Sequence, residues 1–347
     1  MKRRRVGILG AVLGVAAAGI AAGVVGERFV VRRYRNHIPD WYADEPFGEL
    51  GADEELTVTT PDGVDLYVEI LDGPPDLTLV FAHGFCLDMG TFHFQRRALD
   101  GEYRMVFYDQ PGHGRSGKLA DGEYTLDALG AGLGQVIKEV APTGKIVLIG
   151  HSMGGMTIMA LAEHAPELFA ERVAGVALIA TSAGRPDEVS FGLPEVVARF
   201  RHPLMPLVRN AGRLTANVVD RARHASTDLA WLLTRRYGFG TERPSPSLVS
   251  YVEKMNSTTS TDVIARYLRT LYSHARLLAL AALRSVPVLV ICGDTDVLTP
   301  LAQSEAICRE LPDAQLVVVE GAGHVVMLEH ADEVNAALAG FLSRVAR

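Results

Sequence analysis

The stretch that most restricts the fold of this 347-residue chain is Gly150-His151-Ser152-Met153-Gly154. It follows an apolar run at residues 145–149 and precedes a helix-like run at residues 156–165. Small residues two positions either side of a serine let a strand pass into a helix through one tight turn, where larger side chains would clash. That turn lifts the hydroxyl above the sheet and aims the next backbone N–H into the same space. A glycine-serine-glycine spacing alone arises by chance. The strand before it and the helix after it make it a structural signature.

The rest of the chain supplies the sheet this turn requires. Residues 56–60 and 64–71 read as a hairpin around the turn sequence Pro61-Asp62-Gly63. Short continuous apolar runs follow at 77–82, 105–108, 145–149, 173–180, 286–292 and 315–319. Runs of this kind suit strands buried on both faces, as in a parallel sheet covered by helices. Helical patterns at 91–99, 126–140, 156–164, 301–311 and 331–345 alternate with them. The predicted fold class is α/β: a doubly wound, mostly parallel, eight-stranded sheet with an antiparallel start. The alternation stops between Ala180 and Ser285, where about a hundred residues pass without a strand-like run. Arg-rich amphipathic patterns at 204–213, 218–223, 229–237 and 263–283 predict a helical cap inserted after the sixth core strand. The predicted organisation is an N-terminal segment (1–35), a linker (36–55), a core (56–183 and 285–347) and a helical cap (184–284).

Charge separates the N-terminus from the body. Residues 1–35 hold eight Lys or Arg and one Glu, so the remainder carries −14 against −7 for the whole chain. An acidic body argues against nucleic acid as a partner. Lys2-Arg3-Arg4-Arg5 precedes twenty residues, 6–25, built only from Gly, Ala, Val, Ile and Leu. As a helix that run spans roughly 30 Å, enough to cross a bilayer. The expectation is an N-terminal hydrophobic helix retained as a single membrane anchor, with membrane association through residues 6–25. The alternative is export after cleavage of a signal peptide at one of the small-residue sites near Ala18 or Gly23. Four basic residues on each side leave the orientation open. Cys86, Cys292 and Cys308 are too few for a disulfide framework, and none forms a metal-like pair.

A serine hydroxyl needs a base to remove its proton, and the base needs a third group to orient it. Among eleven histidines, His324 has the fitting setting: it ends Glu320-Gly321-Ala322-Gly323-His324, after the last strand and before the final helix. Asp294 and Asp296 both lie just beyond the preceding strand. Strand, carboxylate, helix, strand, histidine puts acid and base at the carboxyl edge of the sheet, where Ser152 also emerges. The chain order Ser, Asp, His follows.

Over residues 56–346 the sequence resembles the α/β-hydrolase superfamily. The resemblance rests on His83-Gly84-Phe85 after the third strand, Asp109-Gln110-Pro111-Gly112-His113-Gly114 after the fourth, and the serine turn after the fifth. It implies a triad of Ser152, Asp296 and His324, with Asp294 as the alternative acid. It also implies an oxyanion hole from the backbone N–H groups of Phe85 and Met153. His83 is expected to shape its loop, His113 to belong to a polar loop near the site, and Cys86 to be a small buried residue. No cofactor or metal is implied. The implied activity is that of a serine hydrolase cleaving carboxylic esters through an acyl-enzyme, with acylglycerols or other lipid esters among the candidate small-molecule substrates. Thioesterases, amidases, C–C bond hydrolases and cofactor-free haloperoxidase-like members share this triad, so they stay open as alternatives. So does a non-catalytic binding protein on the same scaffold. Aspartate-nucleophile dehalogenases and epoxide hydrolases are disfavoured because Ser152 stands where they require aspartate. Oligomeric state stays open.

Overall fold

Alternate residues of each central strand enter different cores. Val80, Val106, Leu148 and Val176 join one apolar cluster, with Leu129, Leu133 and Ile158 from covering helices. Their neighbours Phe81, Phe107, Ile149 and Ala177 join the other, with Phe92, Leu338 and Phe341. A period of two along strands clothed on both faces gives this division. Burying each large side chain contributes about 1.5–3 kcal/mol.

A computed structural model describes residue 31 and residues 37–120, 123–184, 227–272 and 274–346. The expected hydrophobic helix at 6–25 and the cap patterns at 204–213 and 218–223 lie outside these residues. The sheet comprises β1 (Glu54–Thr59), β2 (Asp65–Leu71), β3 (Leu77–Ala82), β4 (Arg104–Tyr108), β5 (Lys145–His151), β6 (Val173–Ile179), β7 (Val288–Gly293) and β8 (Gln315–Val319). Their spatial order is β1-β2-β4-β3-β5-β6-β7-β8. The β1–β2 and β2–β4 pairs are antiparallel, and the remaining pairs are parallel. In register, Ala82 lies beside Gly150 and His151 beside Ile179. The loops after β3, β4, β5, β7 and β8 therefore leave one sheet edge together.

Helices Leu126–Val140 and Ala331–Val345 keep the expected bounds. The pattern at 91–99 opens instead as a 3-10 turn, Met89–Phe92, because Asp88 accepts the Gly90 N–H at 2.8 Å; an α-helix follows at His93–Ala98. Helix Pro166–Glu171 was not expected, and it carries a proline where the missing N–H costs nothing.

Between β6 and β7 lie helices Thr227–Gly238, Pro246–Thr258 and Thr261–Tyr272. The pattern at 263–283 is not one helix. Beyond Tyr272, His274 Nε2 donates to the Ser182 carbonyl (2.9 Å) and Arg276 N–H to the Ala183 carbonyl (2.6 Å). These bonds tie the chain to the exit of β6, and helix returns only at Leu277–Ala279 and Leu280–Leu283.

Residues 37–53, read as part of a linker, lie against the body. Asp40 accepts hydrogen bonds from Ser245 and Ser247 at the start of Pro246–Thr258. Glu45 pairs with His93 and Arg97, while Phe47 stacks on Tyr251 with ring centroids 4.4 Å apart. Among the described residues no helix is long and apolar enough to cross a membrane.

Candidate active site

Ser152 sits where β5 becomes the helix Met153–His164, and the turn forces it to φ 52° and ψ −115°. A non-glycine residue in this region costs about 1–3 kcal/mol, so its surroundings must hold it there. They do so through the Ser152 N–H on the Ile179 carbonyl (2.9 Å) and the Thr181 hydroxyl on the Ser152 carbonyl (2.6 Å). The flanking glycines permit contact rather than flexibility. A Cβ on Gly154 would lie 1.9 Å from the Ala82 carbonyl oxygen, and one on Gly150 would lie 2.6 Å from Gly155 N. Gly154→Ala must therefore push the helix off β3. The expected loss is about 3 kcal/mol or more of unfolding free energy, read by denaturant titration.

Three side chains from three strand ends meet in one hydrogen-bonded chain. His324 Nε2 lies 2.9 Å from Ser152 Oγ, and His324 Nδ1 lies 2.8 Å from Asp296 Oδ2. Asp296 also accepts the N–H groups of Leu298 (2.7 Å) and Thr299 (3.0 Å) and the Thr299 hydroxyl (2.7 Å). Burial raises its pKa, but the charge and hydrogen bond of His324 and the bonds from Thr299 outweigh this. The net shift is downward, so Asp296 is an ionised partner at neutral pH. An ionised acceptor at Nδ1 favours the tautomer protonated there and leaves the Nε2 lone pair facing the serine hydroxyl. All three residues are nearly buried, with Ser152 the most open at 9% exposure. Asp294 is not part of this chain: its carboxylate accepts the Gly321 N–H at 2.7 Å and holds the loop leading to His324.

The loop after β3 lies directly against the serine. A Cβ on Gly84 would come within 3.2 Å of Ser152 Cβ. Phe85 follows in a turn closed by the Leu87 N–H on the Gly84 carbonyl, 3.2 Å. Met153 opens its helix, so its N–H has no intrahelical acceptor. His83 Nδ1 donates to the Gly84 carbonyl (2.8 Å), and Nε2 accepts the Gln110 N–H (2.9 Å). Burial, then the neighbouring His113, holds its pKa well below the usual value, consistent with this neutral form.

Two residues here, Gln110 and Thr157, take roles that the sequence alone does not assign. The Gln110 side chain donates to the His83 carbonyl and accepts the Thr157 hydroxyl at 2.7 Å. It thus bridges the Phe85 loop to the helix that begins at Met153. Its only sequence signal is its place in the motif after β4.

The other nearby groups are structural in geometry. His113 is buried, which lowers its pKa to about 4, and its ring stands edge-on to Phe85. His151 points away from Ser152 Oγ, donating from Nε2 to the His324 carbonyl at 3.0 Å. Burial and then the charge of His324 lower its pKa to about 3. Cys86 occupies the same turn as Phe85 with φ 59° and is half-buried rather than fully buried. Among the described residues no cluster of three or more His, Cys, Asp or Glu is disposed to hold a metal ion.

Comparison with known proteins agrees with this architecture. A family model described as the alpha/beta hydrolase fold matches residues 78–331. A dihydrolipoyllysine-residue acetyltransferase component of an acetoin cleaving system from Pseudomonas putida is 30% identical over 288 residues, 79% of this chain. The match spans 65% of that relative, so the chain covers less than two thirds of its length. A pimeloyl-[acyl-carrier protein] methyl ester esterase of Xanthomonas campestris pv. campestris is 28% identical over 281 residues, 80% of this chain and 99% of that protein. A thermophilic esterase structure from Thermogutta terrifontis, with malate bound, superposes with a TM-score of 0.66 at 26% identity, covering 85% of this chain and 100% of that one. With its strand order, its serine turn and a family match across most of its length, the chain belongs to the α/β-hydrolase fold family.

Proposed function

We propose that this protein is a serine hydrolase that cleaves carboxylic esters by acyl transfer. The observation that carries the reading is the unbroken chain from Ser152 Oγ through His324 to Asp296. His324 Nε2 takes the proton as Ser152 Oγ attacks the ester carbonyl carbon. Charge then develops on the carbonyl oxygen, where the N–H groups of Phe85 and Met153 stabilise it; such donors are typically worth about 3–4 kcal/mol each. Collapse breaks the bond to the alcohol oxygen, which receives the proton from His324. Water, deprotonated by His324, attacks the acyl-enzyme, releases the acid and restores Ser152. The esterase relatives support ester bonds as the target.

The second half of the proposal concerns place and substrate. Residues 6–25 anchor the chain in a membrane, and the substrates are lipid esters presented there. Its support lies in the uncharged run and the basic clusters on both sides of it.

The test uses the full chain in detergent with a chain-length series of p-nitrophenyl and methyl esters, alongside fractionation of expressing cells. The expected result is saturable hydrolysis that improves with acyl length, and protein that stays in the membrane fraction after an alkaline wash. No hydrolysis of any ester would contradict the activity. A shortened protein in the soluble fraction would contradict the anchor.

A further inference from the structure

We propose that the cap sets the position of the general base, with Glu329 as the positioning residue that joins them. The inference rests on the triad reading and adds to it a role for the cap in the rate of acylation.

Both chain neighbours of His324 are bonded towards residues 238–241, at the end of the cap helix Thr227–Gly238. On one side, Val325 N–H donates directly to the Gly238 carbonyl at 3.0 Å. On the other, Gly323 N–H donates to Glu329 Oε2 at 2.7 Å. The same carboxylate accepts Thr241 N–H at 2.8 Å and Gly240 N–H at 3.0 Å. One side chain thus receives N–H groups from the cap and from the residue preceding His324. Hydrogen bonds to an ionised acceptor are roughly twice as strong as neutral ones.

Steric fit closes the same contact. A Cβ on Gly323 would lie 2.4 Å from Gly240 N, and one on Gly240 would lie 2.1 Å from Thr295 Oγ1. The backbone of the cap turn therefore rests on the backbone of the base loop and on the Thr295 side chain of the acid loop. Only glycine permits this approach, and segments packed this closely transmit displacement to one another.

The chemical consequence follows from the two proton transfers His324 makes during acylation. It removes a proton from Ser152 Oγ and delivers one to the departing alkoxide. A slack base weakens both transfers. The second transfer matters for methoxide, which leaves poorly without a proton, and little for p-nitrophenolate, which leaves as the anion. A displaced His324 must therefore penalise methyl esters more than p-nitrophenyl esters of the same acid. A lower folded fraction would penalise both equally.

Glu329→Gln preserves shape but turns an N–H donor towards Gly323 or towards Thr241, so it cannot serve both. Rates are taken on the full chain in detergent, per site titrated with a fluorophosphonate. The expected result is a loss in kcat/KM of about ten-fold for the methyl ester, carried by kcat, and about three-fold or less for the p-nitrophenyl ester. Glu329→Asp keeps the charge on a shorter arm and should lose less, in the same order. Equal losses in kcat/KM on the two leaving groups, or a methyl-ester change confined to KM, would overturn the inference. Ser152→Ala run in parallel separates the two claims. Hydrolysis surviving there would sink the triad reading itself, whereas its abolition beside an unaltered Glu329→Gln would sink only this inference.

Discussion

Ser152→Ala should reduce ester hydrolysis by about 10⁴-fold or more, to a rate set by residual binding and oxyanion contacts alone. The methyl group that replaces the hydroxymethyl fits the same turn, because the strain at φ 52° belongs to the backbone and is held by the Ile179 and Thr181 bonds. Unfolding of the variant should therefore stay close to that of the parent. Activity within ten-fold of the parent would mean that another group supplies the nucleophile. The nearest alternatives make poor ones. His151 is buried and committed to the His324 carbonyl, and Cys86 lies in the turn that carries Phe85.

Asp296→Asn is expected to lower kcat by about 10³–10⁴-fold. The amide removes the negative charge beside Nδ1 and with it the preference for the tautomer that leaves Nε2 free. It also weakens the acceptor for the Leu298 and Thr299 N–H groups, so the loop loses some order. Asp294→Asn serves as the comparison, because the Asp294 carboxylate accepts the Gly321 N–H of the base loop and not a bond from His324. It should cost a few-fold at most, roughly one weakened hydrogen bond. The assignment of the acid would be wrong if the two variants exchanged their effects. Steady-state kinetics on an ester series reads both.

Much of this site was legible because its requirements are local. Gly150 and Gly154 announce a close approach, and the atoms approached are Gly155 N and the Ala82 carbonyl oxygen. Continuous apolar runs announced strands with two buried faces, and the strands divide their side chains between two cores accordingly. His324 was recognisable from a strand end and a glycine-containing loop. Between Asp294 and Asp296 the residues alone could not choose, since both follow the same strand. One carboxylate turns to a loop N–H and the other to the imidazole, a difference made by the chain's course after Gly293.

What the sequence concealed is contact between distant segments. Thr157 meets Gln110 across 47 positions, and Glu329 meets Thr241 across 88, without any periodicity to mark either pair. Helix Pro246–Thr258 buries Leu248, Val249, Val252 and Met255, yet it follows a segment rich in proline and serine that reads as loop. The break after Tyr272 has the same origin. An amphipathic pattern persists there, but bonds from His274 and Arg276 to the exit of β6 override it. Residues 37–53 look like a linker by composition, and tertiary partners such as Ser245, His93 and Tyr251 hold them to the body.

The most direct test of a nucleophilic Ser152 is covalent. The full chain is treated with an alkyl fluorophosphonate and the adduct is located by mass spectrometry of its peptides, in folded protein and in protein unfolded beforehand. The account requires one adduct per chain, on Ser152, formed only in the folded state because His324 and Asp296 must be in place to activate the hydroxyl. No adduct on folded protein, or one on a different residue, would contradict it.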